Sequence, residues 1–555
     1  GYSALSANTT AGNNVAVGYQ TLKLNTTGAN NTALGYQALE ANTVGHSNVA
    51  VGTNALIANT EGTQNVAVGR IALDANTTAS YNTAVGYATL TANTTGASNV
   101  AMGRNALLSN TVGYSNVAVG VSSLGANTVG HSNVAVGTSA LLSNTEGLYN
   151  VAVGPNSLDA NTEGNSNVGI GYAALGANTT GTQNVAVGPS AMIANISGDY
   201  NVAVGALSLD ANTTASFNTA VGYGTLTTNT TGTANVAMGR NALLLNTVGY
   251  SNVAVGVSSL GANVGGIRNT ALGASALLAN TSGNTNVAVG YTSLAANTEG
   301  TNNVASGYQS LLVNTTGDSN VAIGSLSLSA NTTASNNTAV GYSALTALTT
   351  GAQMTAVGYG AAAAVTTANF LTAIGYSSLA ANTTGSQNTG LGIQTLLNNT
   401  SGNYNTAVGI NSSHSNTTAS NNTSVGQNSM FYTTTGGGNS ALGNASLGAN
   451  TTGPNNAAFG YNALALNTTA AYNTAVGSNT LASNTTGTQN VAVGGLALDA
   501  NTTASYNTAV GYSALGANTI GHSNVAVGTN ALIANTEGTQ NVAVGRIALD
   551  ANTTA

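Results

Sequence analysis

Residues 35–51 read GYQALEANTVGHSNVAV, and residues 52–68 read GTNALIANTEGTQNVAV. Both lines open on Gly, carry Leu fifth and Asn eighth, and close on Asn-Val-Ala-Val. The frame extends in both directions. Gly recurs every 17 residues from Gly1 to Gly545, at all 33 such positions, so no insertion or deletion interrupts it. The consensus is G-Y-x-A-L-x-A-N-T-T-G-x-x-N-V-A-V, and its positions are numbered below as columns one to seventeen. Column eight is Asn in 30 of 33 units, the exceptions being Leu348, Val365 and Thr433. Column fourteen is Asn in 30 of 32, with Met354 and Leu371 departing. Column five is Leu except at Met192, Ala362, Ser413 and Met430. Residues 519–555 nearly copy 43–79, a displacement of 28 whole units, which a rod whose coils touch only their neighbours tolerates.

Seventeen residues are too few for a helical-hairpin repeat, and Gly and Asn are poor helix residues. The unit predicts short strands joined by turns, hence an all-β parallel β-solenoid, or β-roll. It has 17 residues per coil and about 33 coils. The reading is one continuous region, 1–555, taken as a fragment of a longer fibrous protein. Coils in register would rise about 4.8 Å each and give a rod of roughly 150–160 Å. One strand is expected at Asn48-Val49-Ala50-Val51 and a second at Gln37-Ala38-Leu39-Glu40-Ala41. Simple alternation places Leu22, Leu39, Leu56, Val49 and Val51 inside and the small Ala38 and Ala50 outside. Gly18, Gly35, Gly52, Gly69 and Gly86 are expected at corners, because Gly reaches backbone conformations closed to other residues. Asn25, Asn42 and Asn59 in column eight, and Asn31, Asn48 and Asn65 in column fourteen, are expected to stack into hydrogen-bonded ladders. Asp in those places would repel its own copies. An outward strip of Ala16, Ala33, Ala50 and Ala67 would invite lateral packing, and a homotrimer is the expected assembly. The disturbed coils lie mainly at 348–371 and 413–433; at Gly358–Leu371, and at Gly426–Gly443 with Met430, Phe431 and Tyr432, locally weaker ladders with a distorted corner, or a local contact with a partner, are expected.

The composition excludes several functions. Charged residues make up 3% of the chain, and six Lys and Arg cannot build a phosphate track, which argues against nucleic-acid binding. No apolar run is long enough to span a bilayer. With no Cys there is no disulfide framework. His46, His131 and His522 share column twelve, many coils apart, while His414 lies in column six. Asp74, Asp159, Asp210 and Asp499 share column six, and Glu61, Glu146, Glu163, Glu299 and Glu537 share column ten. Neither pattern pairs carboxylates in a cleft, and calcium-binding G-G-x-G-x-D loops are absent. No catalytic, cofactor-binding or metal-ligating residue is assigned, and the chain is expected not to be an enzyme. The column-two tyrosines, Tyr2, Tyr19, Tyr36 and Tyr87 among them, suit either a structural ladder or stacking on sugars. Sequons such as Asn25-Thr26-Thr27 would be closed by an inward Asn, leaving Thr hydroxyls outside.

The motifs Asn82-Thr83-Ala84-Val85-Gly86-Tyr87 and Asn507-Thr508-Ala509-Val510-Gly511-Tyr512 resemble the N-T-A-[VL]-G-Y-x-A-L repeats of phage and bacterial tail-fibre-like proteins. The N-[VT]-A-[VIL]-G motif and N-T-T-G turns also resemble the head repeats of trimeric autotransporter adhesins of the YadA type. The resemblance implies a left-handed roll, a trimer and a surface location, although adhesin head units are usually shorter. The expected function is the structural rod of an extracellular or cell-surface fibre, spacing a tip from an anchor. A phage receptor-binding shaft and an ice- or glycan-binding solenoid are the alternatives. Expected partners are copies of the chain, with host glycans or other cells engaged through parts outside this segment.

Overall fold

The computed structural model of the protein describes residues 1–554. Among them there is no helix, and each of the 32 complete coils contributes one three-residue strand. The chain divides into two compact units, Gly1–Ser282 and Gly283–Ala555. The first holds β1 (Val15–Val17) to β16 (Thr270–Leu272), and the second holds β17 (Val287–Val289) to β32 (Val542–Val544). Within each unit successive strands pair in parallel at a displacement of one coil: Val49 faces Val66, Ala50 faces Ala67 and Val51 faces Val68. Val49 N donates to Asn65 O at 2.8 Å, and Gly69 N donates to Val51 O at 2.8 Å. Each unit is therefore a parallel β-solenoid with 17 residues per coil, and sixteen strands at about 4.8 Å stack it over roughly 75 Å.

The second expected strand is absent. Columns two to seven form a run of turns in which columns three and five take left-handed φ in every coil, as at Gln37 (53°) and Leu39 (51°). This backbone still bonds between coils, but in alternating directions. Gln37 N donates back to Tyr19 O at 2.9 Å, whereas Leu39 N donates forward to Ala55 O at 3.0 Å. Strand alternation does not apply to such a backbone, so the adjacent Ala38 and Leu39 both point inward and are fully buried. Left-handed φ costs a non-Gly residue about 1–2 kcal/mol, and full burial of a Leu side chain stabilises by about 1.5–3 kcal/mol. Burial thus holds Leu22, Leu39 and Leu56 in a conformation that Leu alone would avoid.

The three-residue strand is turned over relative to the expectation. Ala33, Ala50 and Ala67 are fully buried, while Val49 and Val51 are partly exposed and face out. The core assignment of Val49 and Val51 is therefore corrected, and so is the outward Ala strip. The reason is the width of the coil. A Cβ built on Gly169, in the same column as Ala50, would lie 2.6 Å from Ser157 Oγ and 3.2 Å from Leu158 Cγ. Columns four and five already fill the space opposite the strand, so the column is held to Ala, Gly and, at Ser424, Ser.

Column one explains its invariance directly. Gly52 has φ of 136°, a region closed to side chains, and a Cβ there would meet Gly69 O at 2.5 Å and its carbonyl carbon at 2.7 Å. The corner glycines allow consecutive coils to pack backbone on backbone.

Candidate interaction surface

The two asparagine columns are buried except at the chain ends, and they do different work. Column eight is a side-chain ladder. Asn42 Nδ2 donates to Asn25 Oδ1 at 2.7 Å and to Gly45 O at 2.9 Å, and Asn59 Nδ2 continues to Asn42 Oδ1 at 2.8 Å. Column fourteen ties side chain to backbone. Asn31 Oδ1 accepts from Asn48 N at 2.9 Å, and Asn48 Nδ2 donates to Gly62 O at 2.9 Å. Asn65 repeats the arrangement on Asn48 and Ala79.

That difference decides what an interruption does. Met354 N still donates to Asn337 Oδ1 at 3.1 Å, so in column fourteen the Asn that precedes the interruption keeps its partner. Column eight has no such reserve: Asn331 Oδ1, which precedes Leu348, is buried without a partner, as are Asn416 Oδ1 and the Thr433 Oγ1 that follows it. The interruptions also differ from each other. Leu348 is accompanied by Met354 in its own coil, Val365 by Leu371, and all four are buried. A Cβ on Gly351 would touch both Met354 Cε and Leu348 Cδ1, so the pair closes around that glycine as apolar packing. The expected distorted corners are not found there, because Thr355 pairs with Thr372 in the ordinary register and Gly358 keeps φ of 137°. Thr433 has no such companion, since column fourteen of its coil remains Asn439.

The outer surface carries three features. Columns fifteen and seventeen form the outward strand face, where column seventeen is an apolar ridge of Val, Leu, Met, Ile and Phe broken at Ser306. Leu34, Met102, Ile323 and Phe459 lie on it and are exposed. The second feature is aromatic stacking along the coil axis. Tyr2, Tyr19 and Tyr36 stack at 5.5 and 5.2 Å between centroids, and Tyr342, Tyr359 and Tyr376 at 5.3 and 5.4 Å. In these runs the ring faces cover one another and the edges face solvent. The third is an aromatic corner of Phe431 and Tyr432, columns six and seven, outside the regular columns.

The titratable groups remain dispersed. His131 stacks on Tyr114 at 4.4 Å, and Nδ1 of His46, His131 and His522 lies 3.3 Å from the hydroxyl of the following Ser. Burial raises Asp74, Asp159, Asp210 and Asp499 above the ordinary carboxylate range, opposed by backbone N–H donors. Among the described residues no three His, Asp or Glu gather as metal ligands, and no helix is long and apolar enough to cross a membrane. Asn25 is closed to glycosylation, and the column-nine hydroxyls are also engaged: Thr26 Oγ1 donates to Thr43 O at 3.0 Å.

No family model matches the chain, and a search of curated proteins finds no match.

Proposed function

We propose that the chain is a non-catalytic structural rod, the shaft of an extracellular or cell-surface fibre that separates a tip from an anchor and assembles from copies of itself. The observation that carries this reading is the exposed apolar ridge of column seventeen, which recurs at the coil spacing through each unit. A long strip of that kind is ordinarily covered in solution. A second copy shares its period and its lack of charge, so side chains can interlock coil after coil. The resemblance to trimeric adhesin and tail-fibre repeats supports three chains per fibre and an external location. Analytical ultracentrifugation of the full chain, with Val119→Glu and Val136→Glu as variants on the ridge, tests the assembly. The expected result is a homo-oligomer that both substitutions dissociate; a monomer insensitive to them, or compact globular particles in electron micrographs, would sink the proposal. Protease or antibody access on intact cells tests the location.

A further inference from the structure

In the stretch GQNSMFYTTTGGG, residues 426–438, Phe431 is the one Phe, Tyr or Trp in column six of the whole chain, and Tyr432 the one in column seven. Tyr432 replaces the small residue, usually Ala, that this column otherwise favours. One face of the Phe431 ring is covered by His414 from the preceding coil, at 4.8 Å between centroids and 9° between planes. Tyr432 stands edge-on to it, at 4.7 Å and 78°. The following coil has Gly448 in column six, so no side chain covers the opposite face of Phe431. The result is an open hollow of about 410 Å³ lined by Asn411, Asn428, Phe431, Tyr432, Ala445 and Gly448.

The floor and rim are fixed. Tyr432 N donates to Gly448 O at 3.1 Å, and Ser415 N donates to Phe431 O at 3.0 Å. Asn411 Nδ2 donates to Asn428 Oδ1 at 3.3 Å, and the column then reaches Ala445, which has no amide to continue it. Asn411 Oδ1 is left without a partner, as it is at Asn54 and Asn530 in the same column. The aromatic hollow, not the orphaned amide oxygen, is what sets this place apart. Its chemistry is an uncovered ring face, a second ring as a side wall and two amides on the rim. The surroundings are neutral: no Asp, Glu, Lys or Arg occurs between Asp318 and Asp499.

We propose that this hollow is a binding subsite for a neutral hexopyranose of a glycan. The C–H face of the sugar lies on the free face of Phe431, Tyr432 bounds its edge, and ring hydroxyls bond the Asn411 and Asn428 amides. A few polar groups placed around an apolar platform is the usual make-up of a small-ligand site. The absence of charge disfavours phosphate and acidic sugars, whose ionised groups would lose hydration without gaining a counter-charge. The stacked tyrosines of column two differ, because their faces already cover each other. This site does not depend on the oligomeric state proposed above.

Saturation-transfer difference NMR on the full chain tests it, with methyl β-D-galactopyranoside, methyl β-D-glucopyranoside and N-acetylglucosamine as neutral probes and N-acetylneuraminic acid as the acidic one. The expected result is transfer to the ring protons of at least one neutral probe and none to the acid. Gly448→Leu fills the hollow with the residue that column six carries at Leu108 and Leu142, and should reduce the signal at least ten-fold. Tyr432→Ala restores the common residue of its column and should weaken binding without disturbing the coil. Tyr359→Ser, on a covered stack, should bind as the native chain does. No transfer to any neutral probe, equal transfer to the acid, or a signal that survives both Gly448→Leu and Tyr432→Ala would overturn the proposal.

Discussion

Replacing Thr433 with Asn should stabilise the coils around it, which is unusual for a fully buried polar substitution. The backbone is already prepared: Thr433 N donates to Met430 O at 3.2 Å, as Asn127 N does to Leu124 O at 3.2 Å. The introduced amide gives Asn416 Oδ1 the donor it lacks and offers its own oxygen to Asn450 Nδ2. The third contact, to Gly436 O, adds little, because that carbonyl already accepts from Asn422 at 3.0 Å and Asn439 at 3.1 Å. Two restored bonds at about 0.5–1.5 kcal/mol net each come to about 2 kcal/mol. In local opening this is roughly a thirty-fold slowing, since about 1.4 kcal/mol is a factor of ten. Coils contribute additively along a solenoid, so a global melting curve would dilute the effect. The assay is therefore amide hydrogen exchange resolved over residues 416–451, with Asn127→Thr as the reverse experiment. Asn127 Nδ2 donates to Asn110 Oδ1 at 2.7 Å and Asn127 Oδ1 accepts from Asn144 Nδ2 at 2.8 Å, so that substitution should lower protection by a similar factor. Unchanged protection in Thr433→Asn, or no loss in Asn127→Thr, would refute the reasoning that column eight is held by its side-chain ladder.

Three further outcomes are expected. Gly120→Ala places a Cβ 2.4 Å from Gly137 O at φ of 137°, and should destabilise its coil by more than about 3 kcal/mol, read by denaturant titration and exchange; Gly265→Ala, whose Cβ would meet only Val248 Cγ2 at 3.8 Å, should be near neutral. Ala118→Val should destabilise by about 1–3 kcal/mol through overpacking, whereas Val119→Ser should leave exchange almost unchanged and act on self-association instead; the opposite pattern would restore the original strand orientation. Burial holds the folded-state pKa of Asp74, Asp159, Asp210 and Asp499 above its unfolded value, so their contribution favours folding at low pH and is lost as pH rises through the folded pKa. Exchange protection in those coils should therefore rise as pH is lowered from neutral into the carboxylate range, and Asp74→Asn should remove its coil's share of that slope.

The period, the corner glycines and the ladders were legible because each depends on stacking identical residues, and stacking writes itself into columns. Strand orientation was misread because alternation fixes which residues share a face, not which face is inside. The deciding signal was nevertheless present in the tolerance of each column. Column sixteen admits only Ala, Gly169, Gly390 and Ser424, whereas column seventeen runs from Ser306 through Val to Met102 and Phe459. A column that restricts size is bounded by neighbours; one that accepts any apolar shape borders open space. The second strand failed for another reason. Left-handed φ at Leu39 and its counterparts is imposed by packing against the Ala column, and Leu has no intrinsic preference that would announce it. The aromatic corner at Phe431 could be found only by noticing which residues leave the repeat.

Departures from the repeat thus fall into two physical kinds. Leu348 with Met354, and Val365 with Leu371, put apolar side chains on both sides of the same corner and the register survives unchanged, with Asn331 Oδ1 the one buried side-chain oxygen left unpartnered there. Thr433 is changed alone, leaves two buried oxygens unpartnered and sits next to the Phe431–Tyr432 corner. Buried polar groups without partners cost about 1–3 kcal/mol, so an uncompensated break persists more readily where the same coil serves something other than stability. The coil whose ladder break leaves Asn416 Oδ1 and Thr433 Oγ1 buried without partners is also the one that carries the aromatic corner. That coincidence adds a second physical ground for the sugar subsite proposed at residues 411–448, because the break at Thr433 is not offset by apolar packing of the kind that surrounds Leu348 and Val365.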